Sequence, residues 1–247
     1  MENYSVRKAL AELAVIIFGI LIALFAESAW NDYQDRAEGR EYLARLSAEI
    51  QNNLQMLDTD VATMELSCRS VETTLSHVRG DKELDPASAL RFAAFSATYA
   101  NAGYQRVTYD DLTNTGNLSL IDDASLREEI VSAYTMFFGG LTAWRPSKHS
   151  ALRTTVLRAL PREYIERVVS ECLTTPADDA MEYVWTDCST TPATGDAEAW
   201  LNRLLVQQEF EGYLAERAWQ VCGFSGDMAA RRQPFESLAV KLDDLAK

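Results

Sequence analysis

The sequence predicts an all-α protein, in which an N-terminal transmembrane helix continues into a long helix of an antiparallel helical-bundle domain. Three observations carry that reading. The 247 residues hold only 6 Pro and 11 Gly, against abundant Ala, Leu, Glu and Arg, a balance that favours helices over a sandwich or barrel. A run without charge extends from Leu13 to Ala26. Apolar positions then recur at helical spacing for almost forty residues.

The apolar run sets the topology. With Ala9 to Glu12 it reaches roughly 18 residues, or about 27 Å as a helix, near the lower limit for crossing a bilayer. It is apolar on every face, unlike a helix that packs one stripe on a core. Trp30 and Tyr33 follow it, where interfacial aromatics belong. Arg7 and Lys8 precede it, and Asp32 and Asp35 follow it. The positive-inside rule then places residues 1–8 in the cytoplasm, a transmembrane helix at residues 9–29, and residues 30–247 outside the cytoplasm. The competing reading is a cleaved signal peptide with Ala26-Glu27-Ser28 as a small-x-small site. The length of the run, and its passage into Trp30 without a helix breaker, count against it.

The long helix is expected over residues 41–79. Leu43, Leu46, Ile50, Leu54, Leu57, Val61, Met64, Cys68, Val71, Leu75 and Val78 are spaced by threes and fours, a heptad seam with one shift. The helix is expected to run directly out of the membrane segment, with Gly39 as a soft point and Gly80 as its end. Asp85-Pro86 reads as an N-cap and first residue of a second helix reaching about Asn101. From Arg106 to Asp123 the strongest signal is a turn at Asn114 to Asn117, with Gly116 supplying positive φ. A third helix starts near Asp123 and carries Leu126, Ile130, Tyr134, Phe137, Leu141 and Trp144 on one stripe. Capping falls to Asp123 or to a box of Ser125 and Glu128, and Pro146 breaks or kinks the helix. Gly139-Gly140 within it reads as close helix packing or a local break. Helical pattern resumes through Leu152, Val156 and Leu160, and past Pro161 through Ile165 and Val169. Residues 174–195 read as a Thr/Pro-rich loop, Trp200 to Val221 as one helix, and Phe235 to Leu245 as a short amphipathic one.

All four cysteines lie on the proposed outer side, where an even count suits two disulfides. Three pairings are possible. Cys172 and Cys188 flank the polar loop and could staple it, in which case Cys68 and Cys222 tie the long helix to the last part of the chain. Four free thiols would require the opposite topology. No zinc spacing is present, and His77 and His149 are isolated.

The net charge of −14 disfavours nucleic acid as a partner, because an acidic surface repels phosphates. Asp110-Asp111 and Asp122-Asp123 have the side chains for a cation site or for acid–base work, but adjacent aspartates beside helices are usually caps and solvated turns. Ser147, His149 and Ser150 do not form a nucleophile elbow, and no phosphate loop, dinucleotide fingerprint or zinc-protease motif occurs. No catalytic residue, cofactor or metal is therefore expected. Within the span, Gly19 and Ala23 form a small-xxx-small pair able to bring two helices together.

The stretch Thr108 to Phe137, together with the anchor ending FAESAWNDY, resembles a family of uncharacterised bacterial proteins with one N-terminal span and a helical extracytoplasmic domain. The residues that carry the likeness are Tyr109, Leu112, Gly116, Asn117, Leu126, Arg127, Ile130 and Tyr134, over about a third of the chain. The resemblance implies the anchor and the fold class, and no activity. The resulting expectation is a membrane-anchored structural or accessory protein of an envelope assembly. Its partners would be the lipid bilayer and either further copies of itself or a larger membrane complex, with Gly19, Ala23, Leu43 and Leu46 at the contact. The alternative is a periplasmic ligand-sensing domain that signals through a partner.

Overall fold

A computed structural model of the chain describes residues 2–97, 103–144, 150–174, 184–185 and 196–245. The fold is all-α, apart from one two-residue antiparallel pair, Leu173–Thr174 with Val184–Trp185. A single helix, α1, runs from Glu2 to Val78. No Pro falls within it, and Gly80 ends it at a φ of 80° that an L side chain adopts only with strain.

The other helices are α2 (Pro86–Ser96), α3 (Val107–Thr115), α4 (Ala124–Trp144), α5 (Ala151–Ala159), α6 (Arg162–Cys172), α7 (Asp196–Leu205), α8 (Phe210–Cys222) and α9 (Phe224–Leu245). A short 3-10 turn, Asn117–Leu120, joins α3 to the approach of α4. Asp85 caps α2 by accepting from the Ser88 N–H, with Pro86 at the first position, and the Ser88 hydroxyl together with that N–H holds the Asp85 carboxyl below its ordinary value. Asp123 caps α4, accepting from the Ser125 and Leu126 N–H groups, so the alternative Ser125–Glu128 box is not the cap.

The distal half of α1, from Gly39 to Val78, is the axis of the bundle. Helices α2, α8 and α9 pack along it. Arg232 of α9 pairs with Asp58, whereas Asp243 accepts from Ser47, so α9 runs antiparallel to α1. Arg79 meets Glu211, and Cys68 is bonded to Cys222, so α8 is antiparallel as well. The apolar seam turns inward: Leu46, Ile50, Leu57 and Val71 are fully buried, and Leu43, Leu54, Val61 and Leu75 pack at its margins. Helix α4 lies on α9, where the rings of Phe137 and Phe235 stack with centroids 4.2 Å apart and Tyr134 sits beside Phe235 at 5.1 Å.

The structure departs from the sequence reading in five places. Gly39 is no soft point, because α1 passes straight through it. A Cβ there would stand 2.4 Å from the Leu120 carbonyl oxygen, so glycine permits a close approach of the 3-10 turn. The Arg106 to Asp123 region contains α3, whose Tyr109 and Leu112 face in. Gly139 lies in unbroken α4, and open space surrounds the place a Cβ would take, so close packing does not explain it. The expected Trp200 to Val221 helix is two helices. A straight helix would carry the stripe of Leu201 and Leu204 on toward Gln208 and Glu211, and the break at 206–209 resets the phase so that Phe210 and Leu214 face the core. Finally, α9 is twice the expected length and runs through Pro234, with Met228 buried in its first half.

Candidate functional site

Two features of α1 stand out, and they lie end to end. From Leu13 to Arg36 the helix is exposed on every described face, including Phe18, Phe25, Trp30 and Tyr33. Within this stretch lies an 18-residue window apolar enough to cross a membrane, with none of it buried. Isolated in water, such a helix would leave more than twenty residues without a covering partner. Gly19 and Ala23 both lie on it, exposed, and nothing stands within 4 Å of the place a Gly19 Cβ would take.

The domain begins where this exposure ends. The Leu120 carbonyl abuts Gly39, Arg36 reaches Asp122 at 3.6 Å between two exposed side chains, and Tyr42 is buried. Leu46 is fully buried and Leu43 packs against the core, so the expected oligomer contact at these two positions is corrected: the chain's own domain already covers them. The 3-10 turn that follows α3 reaches α1 at this height.

Above the junction, α1 holds segment 104–117 through a file of buried polar groups. Both oxygens of Glu49 are engaged: Oε1 accepts from the Tyr134 hydroxyl and Oε2 from the Thr108 N–H, each at 2.6 Å. Asn53 grips both backbone groups of Gln105, donating from Nδ2 to the carbonyl at 2.6 Å while Oδ1 accepts from the N–H at 2.7 Å. Asp60 accepts from the Tyr104 hydroxyl at 2.7 Å. Near the base, Tyr42 donates to Asp111 at 2.9 Å and accepts from Asn117 at 3.0 Å. Three tyrosine–carboxylate bonds thus join α1 to the elements packed over it.

The turn motif takes its place in this clasp. Tyr109 stacks on Tyr134 with centroids 4.3 Å apart, Leu112 is fully buried, Gly116 supplies the left-handed C-cap of α3 at φ 81°, and Asn117 holds Tyr42. Burial and the Glu49 carboxylate push the Tyr134 hydroxyl far above the ordinary tyrosine value, fixing it as a donor. With both Glu49 oxygens occupied, the arrangement holds the fold and offers no free base.

The sequence reading passed over Glu49, Asn53 and Asp60. Their signal was the spacing: with Ser67 and Thr74 they run at four, seven, seven and seven residues beside the apolar seam, which is the period of a buried flank. The other acidic groups are accounted for locally, with Asp110 paired to Arg106 and Asp111 shared between Tyr42 and Arg45.

Cys68 and Cys222 form a disulfide with Cα atoms 5.0 Å apart, closing a loop of 154 residues. Among the described residues, the one cluster with metal-ligand spacing is Cys68, Glu72 and Cys222. The disulfide consumes both of its sulfurs. Cys172 is also disulfide-bonded, and Cys188 lies outside the described residues, as do Ser147, His149 and Pro146. Ser150 spends its hydroxyl capping α5, accepting from the Arg153 N–H. In the distal half of the domain, Tyr164 of α6 is buried against Trp200, with ring centroids 5.6 Å apart. Among the described residues its hydroxyl has no hydrogen-bond partner, and burial pushes it up to about 12.

No family model, curated protein or solved structure matches the chain.

Proposed function

We propose that the chain is a membrane-anchored interaction protein of a bacterial envelope assembly. In this reading the N-terminal third of α1 crosses the inner membrane with Arg7 and Lys8 on the cytoplasmic side, and the helical domain stands in the periplasm. The observation that carries the proposal is the continuity of α1. One unbroken helix is exposed at every described residue from Leu13 to Arg36, apolar as far as Ala26, and is the axis of a packed domain from Gly39 to Val78, so the domain is rigidly tied to whatever covers the exposed part. The Cys68–Cys222 bond fits an oxidising compartment. The likeness of the 108–137 stretch to single-span bacterial proteins points the same way.

The test is a pair of fusions after Lys247. A reporter that folds only outside the cytoplasm is expected to be active there, and a cytoplasm-only reporter silent, with the protein retained in carbonate-washed membranes. The reverse pattern overturns the topology, and release by carbonate overturns the anchor.

The second reading, a ligand-sensing domain working through a partner, has one observation in its favour: the buried, unpartnered Tyr164 hydroxyl.

A further inference from the structure

Viewed down its axis, α1 has two unlike sides. The domain packs on the side that carries Gly39, Tyr42, Leu46 and Ile50. On the order of half a turn away, by the 3.6-residue period, lies a second file: Gly19, Ala23, Ala26, Trp30, Tyr33 and Ala37. Its steps are four, three, four, three and four, the spacing of a helix–helix seam. The file is free of charge, although Glu27, Asp32, Asp35, Arg36 and Glu38 stand on the flanks of the same stretch. It is uncovered as far as Tyr33, with Trp30 and Tyr33 60% and 61% exposed, and Ala37 is half-buried.

Lipid covers only part of this face. Measured from Ala26, Trp30 lies about 6 Å along the helix, Tyr33 about 10 Å and Ala37 about 16 Å. Taken from the span's end at residue 29, the headgroup layer, roughly 5–7 Å deep on each side, reaches Tyr33, and Ala37 stands beyond it. The face continues past the junction across the charged Arg40, and among the described residues Ala44, Ala48, Gln51, Gln55 and Ala62 remain exposed along it.

We propose that this outward face of α1 packs against the same face of a second copy in a parallel pair, with the two domains hanging on the outer sides. The occupant follows from three features. In the heptad through Tyr33 and Ala37, a parallel pair brings Arg36 of one copy, which also reaches its own Asp122, beside Glu41 of the other, opposite charges flanking a seam whose next position is Arg40. The span holds both copies in one plane with their stalks at equal height, which raises their effective concentration. Small residues at Gly19, Ala23, Ala26 and Ala37 allow backbones to approach closely inside and just outside the bilayer. The inference rests on the anchored reading above, and it replaces the Leu43 and Leu46 contact with the opposite side of the same helix.

The test is oxidative crosslinking of single-cysteine variants of the full chain in native membranes. Ala26→Cys, Tyr33→Cys and Ala37→Cys are expected to give at least about ten times more disulfide-linked dimer than Ser28→Cys and Asp35→Cys, which lie on the domain side of the stalk. Equal crosslinking on both sides, or none on the outward side in protein that stays in carbonate-washed membranes, overturns the pairing and leaves the anchor standing. Protein released by carbonate overturns both.

Discussion

The proximal and distal parts of α1 are one helix in two environments. Between Leu13 and Arg36 it touches almost nothing in its own chain, and its composition is apolar all round until Ala26. Between Gly39 and Val78 it is buried on its inner side, and that side contains Glu49, Asn53, Asp60, Ser67, Ser70 and Thr74 as well as the leucines. The proximal part leaves its apolar run uncovered, whereas the distal part encloses its apolar seam together with a file of polar groups. A bare apolar run of that length calls for a lipid or protein cover of its own. The distal part needs directional bonds to hold one irregular segment, 104–117, in a single position.

The comparison is broken most severely at Glu49. Removing its carboxylate in Glu49→Ala leaves the Tyr134 hydroxyl and the Thr108 N–H buried without partners, each an unmade bond worth about 1–3 kcal/mol. A loss of about 3–4 kcal/mol is expected in urea unfolding of the detergent-purified full chain, with membrane retention unchanged. Adding Tyr134→Phe should recover part of the loss, because it removes one of the two stranded donors. A Glu49→Ala variant as stable as the parent would show that the clasp does not hold the domain.

Much of the distal part was legible from the sequence and the clasp was not. The seam positions, the Asp85-Pro86 start and the positive φ at Gly116 follow from local rules that act within a few residues. Those rules also placed Asp123 at the start of α4. The role of Glu49 depends on Tyr134, 85 residues away, and that of Asn53 on the backbone of Gln105, and no periodicity announces such a pairing. Polar side chains at heptad spacing beside an apolar seam mark a flank that can be buried, but they do not say which group lies over it. The α7–α8 break was missed for a similar reason. Helical propensity runs through residues 206–209 without a Gly or Pro, and the break appears only because Phe210 has to be turned toward the core. The junction at Gly39 was misread because a glycine in a helix is locally a weakness, and only the Leu120 carbonyl lying over it makes it a requirement.

That junction gives the second way to sharpen the comparison. Gly39→Ala adds one carbon where the Leu120 carbonyl oxygen would be 2.4 Å away, so backbone must move. Although alanine favours the helix, overpacking of this kind costs about 1–3 kcal/mol. A loss near 2 kcal/mol is expected, with faster hydrogen exchange at the 3-10 turn and little change around the distal disulfide. A stabilised Gly39→Ala variant would mean that the α3 corner does not rest on α1, and the boundary between exposed and packed helix would lie higher.

The smallest effect concerns the distal end, where Tyr164 is buried with an unpartnered hydroxyl. Tyr164→Phe removes the oxygen and keeps the ring against Trp200. At pH 7 it should leave stability unchanged or raise it by up to about 1 kcal/mol, since no bond is lost and a buried polar group is removed. The pH dependence supplies the sharper reading. The Tyr164 hydroxyl is pushed up to about 12 in the folded chain, above the ordinary value of 10.0. The neutral form that the fold prefers therefore contributes stability in full below pH 10, and that contribution is lost as pH rises from 10 through 12. Phenylalanine cannot ionise, so the difference in urea midpoint between Tyr164→Phe and the parent should widen in favour of the variant between pH 9 and pH 11, about one unit either side of the ordinary tyrosine value. If the variant is instead less stable at pH 7 by more than about 1 kcal/mol, the hydroxyl has a partner worth a hydrogen bond. A bound ligand would then be the first candidate, and the ligand-sensing reading of this domain would gain over the purely structural one.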